Sequence, residues 1–141
     1  MATYVTSKKF RLPEKPDEFT NEPWYNMWSK KLWPYKELKV GDTLYWYESP
    51  KKCIVWRSRV VNVQQFPYQS KEEVKQKLQM TADQAAKPYF VEAPESGYCV
   101  HYEVEELEQV NLPKPKDFSF PQQGWLKVTS DVAEAWPGLT T

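Results

Sequence analysis

The sequence predicts an α+β fold, with a small mixed β-barrel of about five or six strands and helices inserted between the strands. Short stretches of β-branched and aromatic residues, with the alternation typical of strands, recur along the chain. The segments between them are long and carry helix-start signals, unlike the regular strand–helix alternation of a parallel sheet. A length of 141 residues suits one domain over 1–141.

The N-terminal part of the chain predicts a strand followed by a helix. Tyr4–Leu12 is rich in β-branched and aromatic residues, which favours a strand. Asn21 is a good N-cap, and Pro23 suits a first helical turn. In the following segment, Trp24–Leu32, large apolar residues recur every four positions, as on one face of a helix. Pro34 would end that helix.

A β-hairpin is predicted in the middle of the chain. Gly41 provides a turn before the first strand, Thr43–Ser49, and Pro50 separates that strand from the second, Lys52–Val63. Apolar side chains occur on both faces of each strand. We therefore expect this hairpin to be central in the sheet and covered on both sides.

The C-terminal half mixes helix and strand signals. Capping boxes predict helices after Ser70 and after Thr81. The later predicted elements are the strand Tyr98–Val110, an irregular linker over Leu112–Pro121, the strand Gly124–Thr129 and a closing helix capped by Ser130. In the first of these strands, His101 is expected to face solvent.

The composition argues against several classes of protein. No stretch approaches the ~20 apolar residues needed to cross a bilayer, and the N-terminus lacks the apolar core of an export signal, so we expect an intracellular, cytoplasmic protein. Cys53 and Cys99 fit no metal spacing and are expected to be buried thiols. With one histidine and no glycine-rich phosphate loop, we expect no metal, no cofactor, and a binding protein rather than an enzyme.

Aromatic residues are concentrated between Trp24 and Trp56, which hold five of the seven tryptophans. Such rings can pack a core, and at least two of these indoles are expected to do so. Rings left over can stack on a flat ligand. The candidate ligand-binding residues are Trp24, Tyr25, Trp28, Trp33, Tyr35, Tyr45, Trp46 and Tyr47.

The aromatic half is also the basic half. Residues 1–61 carry twelve Lys or Arg against seven Asp or Glu, whereas residues 62–141 carry seven against twelve. This asymmetry indicates either an anionic partner on one face or two halves that attract each other. The candidate phosphate-binding residues, which lie among the rings, are Lys30, Lys31, Arg57 and Arg59.

Four motifs resemble the PUA-like superfold, and within it the EVE and ASCH group. A first strand leads into EPWYNMWSKKLW, and KVGD then precedes an aromatic strand over Lys39–Tyr47. WRSRVVNV leads into an FPY loop, and WLKVTSDVAEAW, Trp125–Trp136, resembles the closing strand and helix of EVE domains. The resemblance spans nearly the whole chain.

This resemblance implies a pseudo-barrel with a cleft that accepts a nucleotide. Some relatives read a modified base flipped from a duplex, and others bind RNA. By the same resemblance, Trp24–Tyr35 would form one wall of the cleft and Tyr45–Tyr47 another. Phosphates would meet Arg57 and Arg59, or else the lysines Lys30 and Lys31.

The leading hypothesis is a module that binds DNA or RNA and recognises a single or flipped base, modified bases included, in an aromatic cleft. One alternative is an ASCH-type ribonuclease that works with Lys and Tyr and without a metal. Another is a protein-interaction domain whose aromatic cage binds a peptide or a methylated lysine through cation–π contacts.

Overall fold

The computed structural model describes residues 1–140 and contains a six-stranded mixed sheet. Its strands are β1 (Thr3–Lys8), β2 (Trp24–Trp28), β3 (Thr43–Glu48), β4 (Cys53–Tyr68), β5 (Gly97–Pro113) and β6 (Trp125–Lys127). They lie in the order β2-β5-β4-β3-β1-β6. Only the β1–β3 pair is parallel. The sheet curls into a half-barrel, which confirms the predicted α+β class with a small mixed barrel.

The helices are short and lie between the strands. They are α1 (Pro16–Thr20), α2 (Lys71–Lys77), α3 (Ala82–Ala85), α4 (Pro88–Glu92) and α5 (Ser130–Ala135). The Thr81 capping box at the start of α3 is confirmed, with both reciprocal hydrogen bonds present. The predicted cap of α5 is wrong by one residue, because the side chain of Thr129 accepts the hydrogen bond from Val132 N. The Ser70 side chain makes no capping hydrogen bond, although α2 follows it as predicted.

The helix predicted over Trp24–Leu32 is wrong. The first five residues of that segment form β2, which pairs antiparallel with β5. Trp24 and Trp28 are four residues apart, and a spacing of four places two side chains on one face in a strand as well as in a helix. Tertiary pairing with β5 therefore decides between two conformations that this spacing cannot separate.

The hairpin and the strand after the helices are longer than predicted. The hairpin is confirmed, and its second strand runs on to Tyr68. β5 reaches Pro113, into the predicted linker. The expectation that His101 faces solvent is wrong, because α2–α4 pack on that side of β5 and leave this side chain only 9 % exposed.

Aromatic side chains fill the inside of the curled sheet. Trp46 and Trp56 project inward from the hairpin, and Phe19 of α1 packs against both, with its ring centroid 4.6 Å from Trp46 and 5.7 Å from Trp56. The outer face is covered in two places: by Trp136 next to α5, and by α2–α4 around Cys99. Both cysteines are buried free thiols, as predicted. Among residues 1–140, no helix has the length and apolar character that crossing a bilayer requires.

Candidate functional site

Side chains bridge the seam between the two edge strands of the sheet, β2 and β6. The Asn26 side chain on β2 closes this seam, because its Oδ1 accepts a hydrogen bond of 3.0 Å from Trp125 Nε1 on β6. The same oxygen accepts a bond of 3.3 Å from the Tyr102 hydroxyl. The half-barrel is thus held shut at this point by side chains, not by a strand ladder.

Lys8, the last residue of β1, points into the barrel beside this seam. It is only 7 % exposed, and its Nζ donates a hydrogen bond of 2.8 Å to the Tyr102 hydroxyl. The same nitrogen lies 5.7 Å from the ring centroid of Trp46 and 5.8 Å from that of Trp24. Within residues 1–140 it forms no ion pair. Burial therefore lowers the pKa of Lys8 to about 7, so both protonation states are populated at neutral pH.

Phe10, at the surface, and the buried Trp24 form a ring pair. Phe10 is 50 % exposed, and its ring lies within 9° of parallel to Trp24 at a centroid separation of 6.2 Å. Trp24 therefore has the exposed ring of Phe10 and the buried amine of Lys8 as neighbours. Lys9 and Arg11, which flank Phe10 in sequence, are both exposed, so cationic side chains border the ring pair.

A cavity of about 430 Å³ opens near the end of β3. Its wall includes Glu48, Lys51 and Trp56, together with the segment Leu12–Glu14 that follows β1. Glu48 is only 1 % exposed, and its Oε1 accepts a hydrogen bond of 2.7 Å from Leu12 N. We call this opening the Glu48 cavity. The strand register pairs Glu48 with Lys8, so the ends of β1 and β3 carry both groups.

The structure distributes the predicted ring residues over three environments. Trp24, Tyr35 and Trp46 are buried in the interior core, while Trp28 and Trp33 are half-buried and pack against that core. The other three lie on the outer face of the sheet. They are Tyr25, which packs against Tyr89, and Tyr45 and Tyr47, which pack in the cluster around Trp136.

The predicted phosphate-binding residues fall on two faces. Lys30 and Lys31 are exposed in the loop after β2, and Lys31 Nζ lies 5.3 Å from the ring centroid of Tyr98. Arg57 lies over the outer-face ring of Tyr45 at 5.9 Å, and Arg59 is ion-paired with Glu106. The structure therefore leaves Lys30 and Lys31 exposed in the chain segment between Trp28 and Trp33, and places Arg57 on the outer face of the sheet with Tyr45.

Sequence reasoning missed Lys8 and Phe10. A signal was available for Lys8, because Tyr4, Thr6 and Lys8 alternate along β1, and Tyr4 packs in the interior core. A lysine that continues an inward-facing alternation is unusual enough to single out. For Phe10, exposure depends on where β1 ends, which the sequence does not specify.

Side chains that could ligate a metal ion do not cluster among the described residues. In the described part of the chain, no three His, Cys, Asp or Glu side chains come close enough together to hold an ion. His101 is remote from Lys8 on the outer face, and burial lowers the pKa of its imidazole. The side chains of the site can supply hydrogen bonding, stacking and proton exchange at the Lys8 amine.

No protein-family model matches this chain, and no curated protein matches it. Among solved structures, it is similar to ASCH from Zymomonas mobilis at 12% identity, with 95% of this chain and 92% of that chain covered and a TM-score of 0.59. A single-substitution variant of that protein gives a TM-score of 0.61 at 10% identity, with 94% and 92% covered. The chain has the PUA-like fold of ASCH domains.

The N-terminal domain of Staphylothermus marinus McrB shares this PUA-like fold. It aligns at 14% identity with a TM-score of 0.56, covering 94% of this chain and 91% of that domain. At these identities the likeness is one of fold. The resemblance first indicated by four short motifs is thereby confirmed. The site of this PUA-like domain has to be argued from its own side chains.

Proposed function

We propose that this PUA-like domain binds nucleic acid and recognises a single or flipped base at the end of the barrel where β1 and β3 finish. The observation that carries the proposal is the ring pair, in which half-exposed Phe10 lies parallel to Trp24. Stacking of a base on an aromatic side chain contributes ~1–3 kcal/mol to the binding free energy, whichever base it is. The ASCH and McrB structures support the proposal through the shared fold.

The charges around the ring pair suit a polyanion. Lys9 and Arg11 are exposed on either side of Phe10 and can reach phosphates of a strand whose base is stacked there. Lys30 and Lys31 offer a second cationic stretch beside Trp28 and Trp33. Stacking faces with flanking cations are the combination that single-stranded nucleic acid requires.

The target base has to be outside a duplex stack when it is bound. A base within a duplex has both faces covered, so it cannot lie on Phe10. Extrusion costs a few kcal/mol, least for a base that is damaged, mismatched or already single-stranded. We therefore expect single strands to bind more tightly than a fully paired duplex of the same sequence, and a modified base that weakens pairing to reduce the difference.

A direct test is titration of labelled single-stranded and duplex oligonucleotides at low salt, with tryptophan fluorescence as a second signal. Phe10→Ala should weaken single-strand binding by about 5-fold to 100-fold, since one stacking contact is lost. Val91→Ala is the control, because Val91 is a similarly exposed apolar residue on α4. No binding by the unchanged protein, or equal loss in both variants, would contradict the proposal.

A second candidate function, a metal-independent ribonuclease, is favoured by the Lys8–Tyr102 contact. An amine whose pKa is about 7 can accept the proton of a ribose 2′-hydroxyl while that oxygen attacks the adjacent phosphorus, and the resulting ammonium can give the proton to the departing 5′-oxygen. The hydrogen bond to the Tyr102 hydroxyl would hold the amine in place. Incubating RNA with the protein and a chelator tests this. Cleavage that disappears in Lys8→Met supports the enzyme, and intact RNA supports the binding module.

Nothing in the structure favours the third hypothesis, a cage for methylated lysine. The interior rings of Trp24, Trp46 and Tyr102 do surround an amine, but it is the chain's own Lys8. A guest cation would have to displace it.

A further inference from the structure

The carboxylate of Glu48 has one oxygen whose hydrogen-bonding capacity is unused. Oε1 accepts a hydrogen bond from Leu12 N at 2.7 Å, but within residues 1–140 the buried Oε2 makes no hydrogen bond at all. Removing a carboxylate from water is costly unless its oxygens are satisfied. Glu48 lies in the wall of an open cavity, but its Oε2 is itself buried, so a group entering from outside can supply the missing donor only once the neighbouring Lys51 side chain has moved aside.

Lys51 does not fill this role. Its Nζ is 3.7 Å from Glu48 Oε2, beyond hydrogen-bonding distance, and its side chain is 50% exposed. Ion pairs formed by exposed lysines contribute little and re-form readily with other partners. Lys51 can therefore move to admit a ligand and then present its ammonium as a donor next to the carboxylate.

Three other polar atoms in the wall of the Glu48 cavity already have partners. Trp56 Nε1 donates to the carbonyl of Pro13 at 2.9 Å, and Gln109 Nε2 donates to that of Glu14 at 3.0 Å. Asn111 Oδ1 accepts from Cys53 Sγ at 3.0 Å. Among the buried polar atoms of this wall, Glu48 Oε2 is the acceptor left free, and Lys51 Nζ is the cationic donor beside it. The cavity volume of about 430 Å³ falls in the range of small-molecule sites, ~300–1,000 Å³.

We propose that Glu48 selects for a base with an exocyclic amino group, by accepting an N–H of that group through Oε2 while Lys51 donates to the neighbouring acceptor of the base. This inference rests on the proposed nucleic-acid binding. An ionised carboxylate can only accept. Cytosine, adenine and guanine present an amino N–H beside an acceptor atom. The N–H of thymine or uracil lies between two carbonyl oxygens, which repel a carboxylate.

The cavity and the ring pair can serve one strand. The segment after β1 provides both Phe10 and Leu12, so it borders the stacking surface on one side and the cavity on the other. A strand with one base stacked on Phe10 can therefore place a neighbouring base against Glu48.

The test compares two oligonucleotides that differ in the chemistry at issue and little else. A labelled single strand of 5-methylcytosine and one of thymine share the ring and the methyl group. In 5-methylcytosine an amino group lies beside an unprotonated ring nitrogen, whereas in thymine a carbonyl lies beside a ring N–H. Fluorescence anisotropy with the unchanged protein should show tighter binding of the 5-methylcytosine strand by about 10-fold, as one charge-assisted hydrogen bond allows.

Glu48→Gln should bring the ratio of the two affinities close to one, because the amide pairs with either edge. Glu14→Gln is the matched control: it removes the same charge from the same cavity wall at an exposed position, so it should raise both affinities and leave their ratio unchanged. Should Glu48→Gln fail to fold, Glu48→Asp keeps the charge but withdraws the oxygens, and should also reduce the ratio.

The possible failures are distinguishable. Binding of both strands with a ratio of one in the unchanged protein, or a ratio that persists in the Glu48 variants, overturns the assignment to Glu48 and leaves the binding function standing. No binding of either strand overturns both.

Discussion

The Nζ of Lys8 donates a hydrogen bond of 2.8 Å to the hydroxyl of Tyr102, inside a barrel where no carboxylate of residues 1–140 forms an ion pair with it. The rings of Trp24, Trp46 and Tyr102 surround this nitrogen instead, with their centroids 5.5 to 5.8 Å from it. Cation–π attraction offsets only part of the desolvation of an ammonium. The folded state therefore carries an electrostatic cost that measurements can detect.

The first prediction concerns stability against pH. The pKa of Lys8 is lowered from 10.5 to about 7, so between these values the unfolded chain binds more protons than the folded one. Stability should rise with pH above 7, by at most about 1.4 kcal/mol per pH unit. The rise should be clearest between pH 7 and pH 9, because the raised pKa of the Cys99 thiol acts in the opposite direction above that range.

Urea unfolding at pH 7, 8 and 9 measures this slope, and Lys8→Met should abolish it. Methionine keeps the length of the side chain and has no titrating group, so this variant should also be the more stable protein at pH 7. A flat wild-type profile, or the same slope in Lys8→Met, would show that the amine keeps its ordinary pKa.

The second prediction concerns the seam. Asn26→Leu removes the acceptor shared by Trp125 Nε1 and the Tyr102 hydroxyl, leaving buried donors without partners. We expect a loss of roughly 2–4 kcal/mol in the free energy of unfolding. Asn62→Leu, at a half-buried position on β4, should change it by less than about 1 kcal/mol. Equal effects of the two substitutions would refute a special role for Asn26.

The third prediction separates core indoles from surface indoles. Trp46 is fully buried, and Trp46→Ala should cost about 3–5 kcal/mol of stability. Trp28 and Trp33 are half-buried, so the alanine variants should keep the fold while weakening oligonucleotide binding. Thermal melts and anisotropy titrations on the same samples measure both. A melting temperature in Trp33→Ala as low as in Trp46→Ala would make Trp33 a core residue.

The fourth prediction uses salt to locate the phosphate contacts. A lysine that contacts phosphate releases a counter-ion, so its removal reduces the slope of log affinity against log salt by about 0.7 for single strands. Lys9→Gln, Lys31→Gln and Arg57→Gln each remove one charge from a different place. We expect the first two to reduce the slope. A reduced salt slope in Arg57→Gln would instead indicate that phosphates contact the outer face, where the Arg57 side chain lies over Tyr45.

Local signals predicted much of the fold. The capping box at Thr81 predicts its helix because both reciprocal hydrogen bonds are formed by residues three apart. The turn at Gly41 is also predictable from local sequence, because its φ of 97° is one that glycine adopts without strain. The hairpin is predicted because alternation and a proline-containing turn occur together.

The rest depended on partners distant in sequence. Trp24 and Trp28 lie on one face in either conformation, and only the ladder to β5 makes their segment a strand. His101 is buried by helices that pack on its side of β5, about which its own strand carries no signal. For the same reason the dense rings did not reveal a site. The number of rings indicates that some of them pack together. That Lys8 and Glu48 lie side by side at the ends of β1 and β3 follows only from the register of those strands.

β1 lies between β3 and β6, so the first strand of this sheet to be synthesised gains its second neighbour from the last one. Until Trp125–Lys127 is synthesised, one side of β1 keeps its amide and carbonyl groups free, and a nascent chain in that state can pair with another like it. Chains truncated before Trp125 should therefore be the insoluble ones, because β1 then lacks its β6 neighbour.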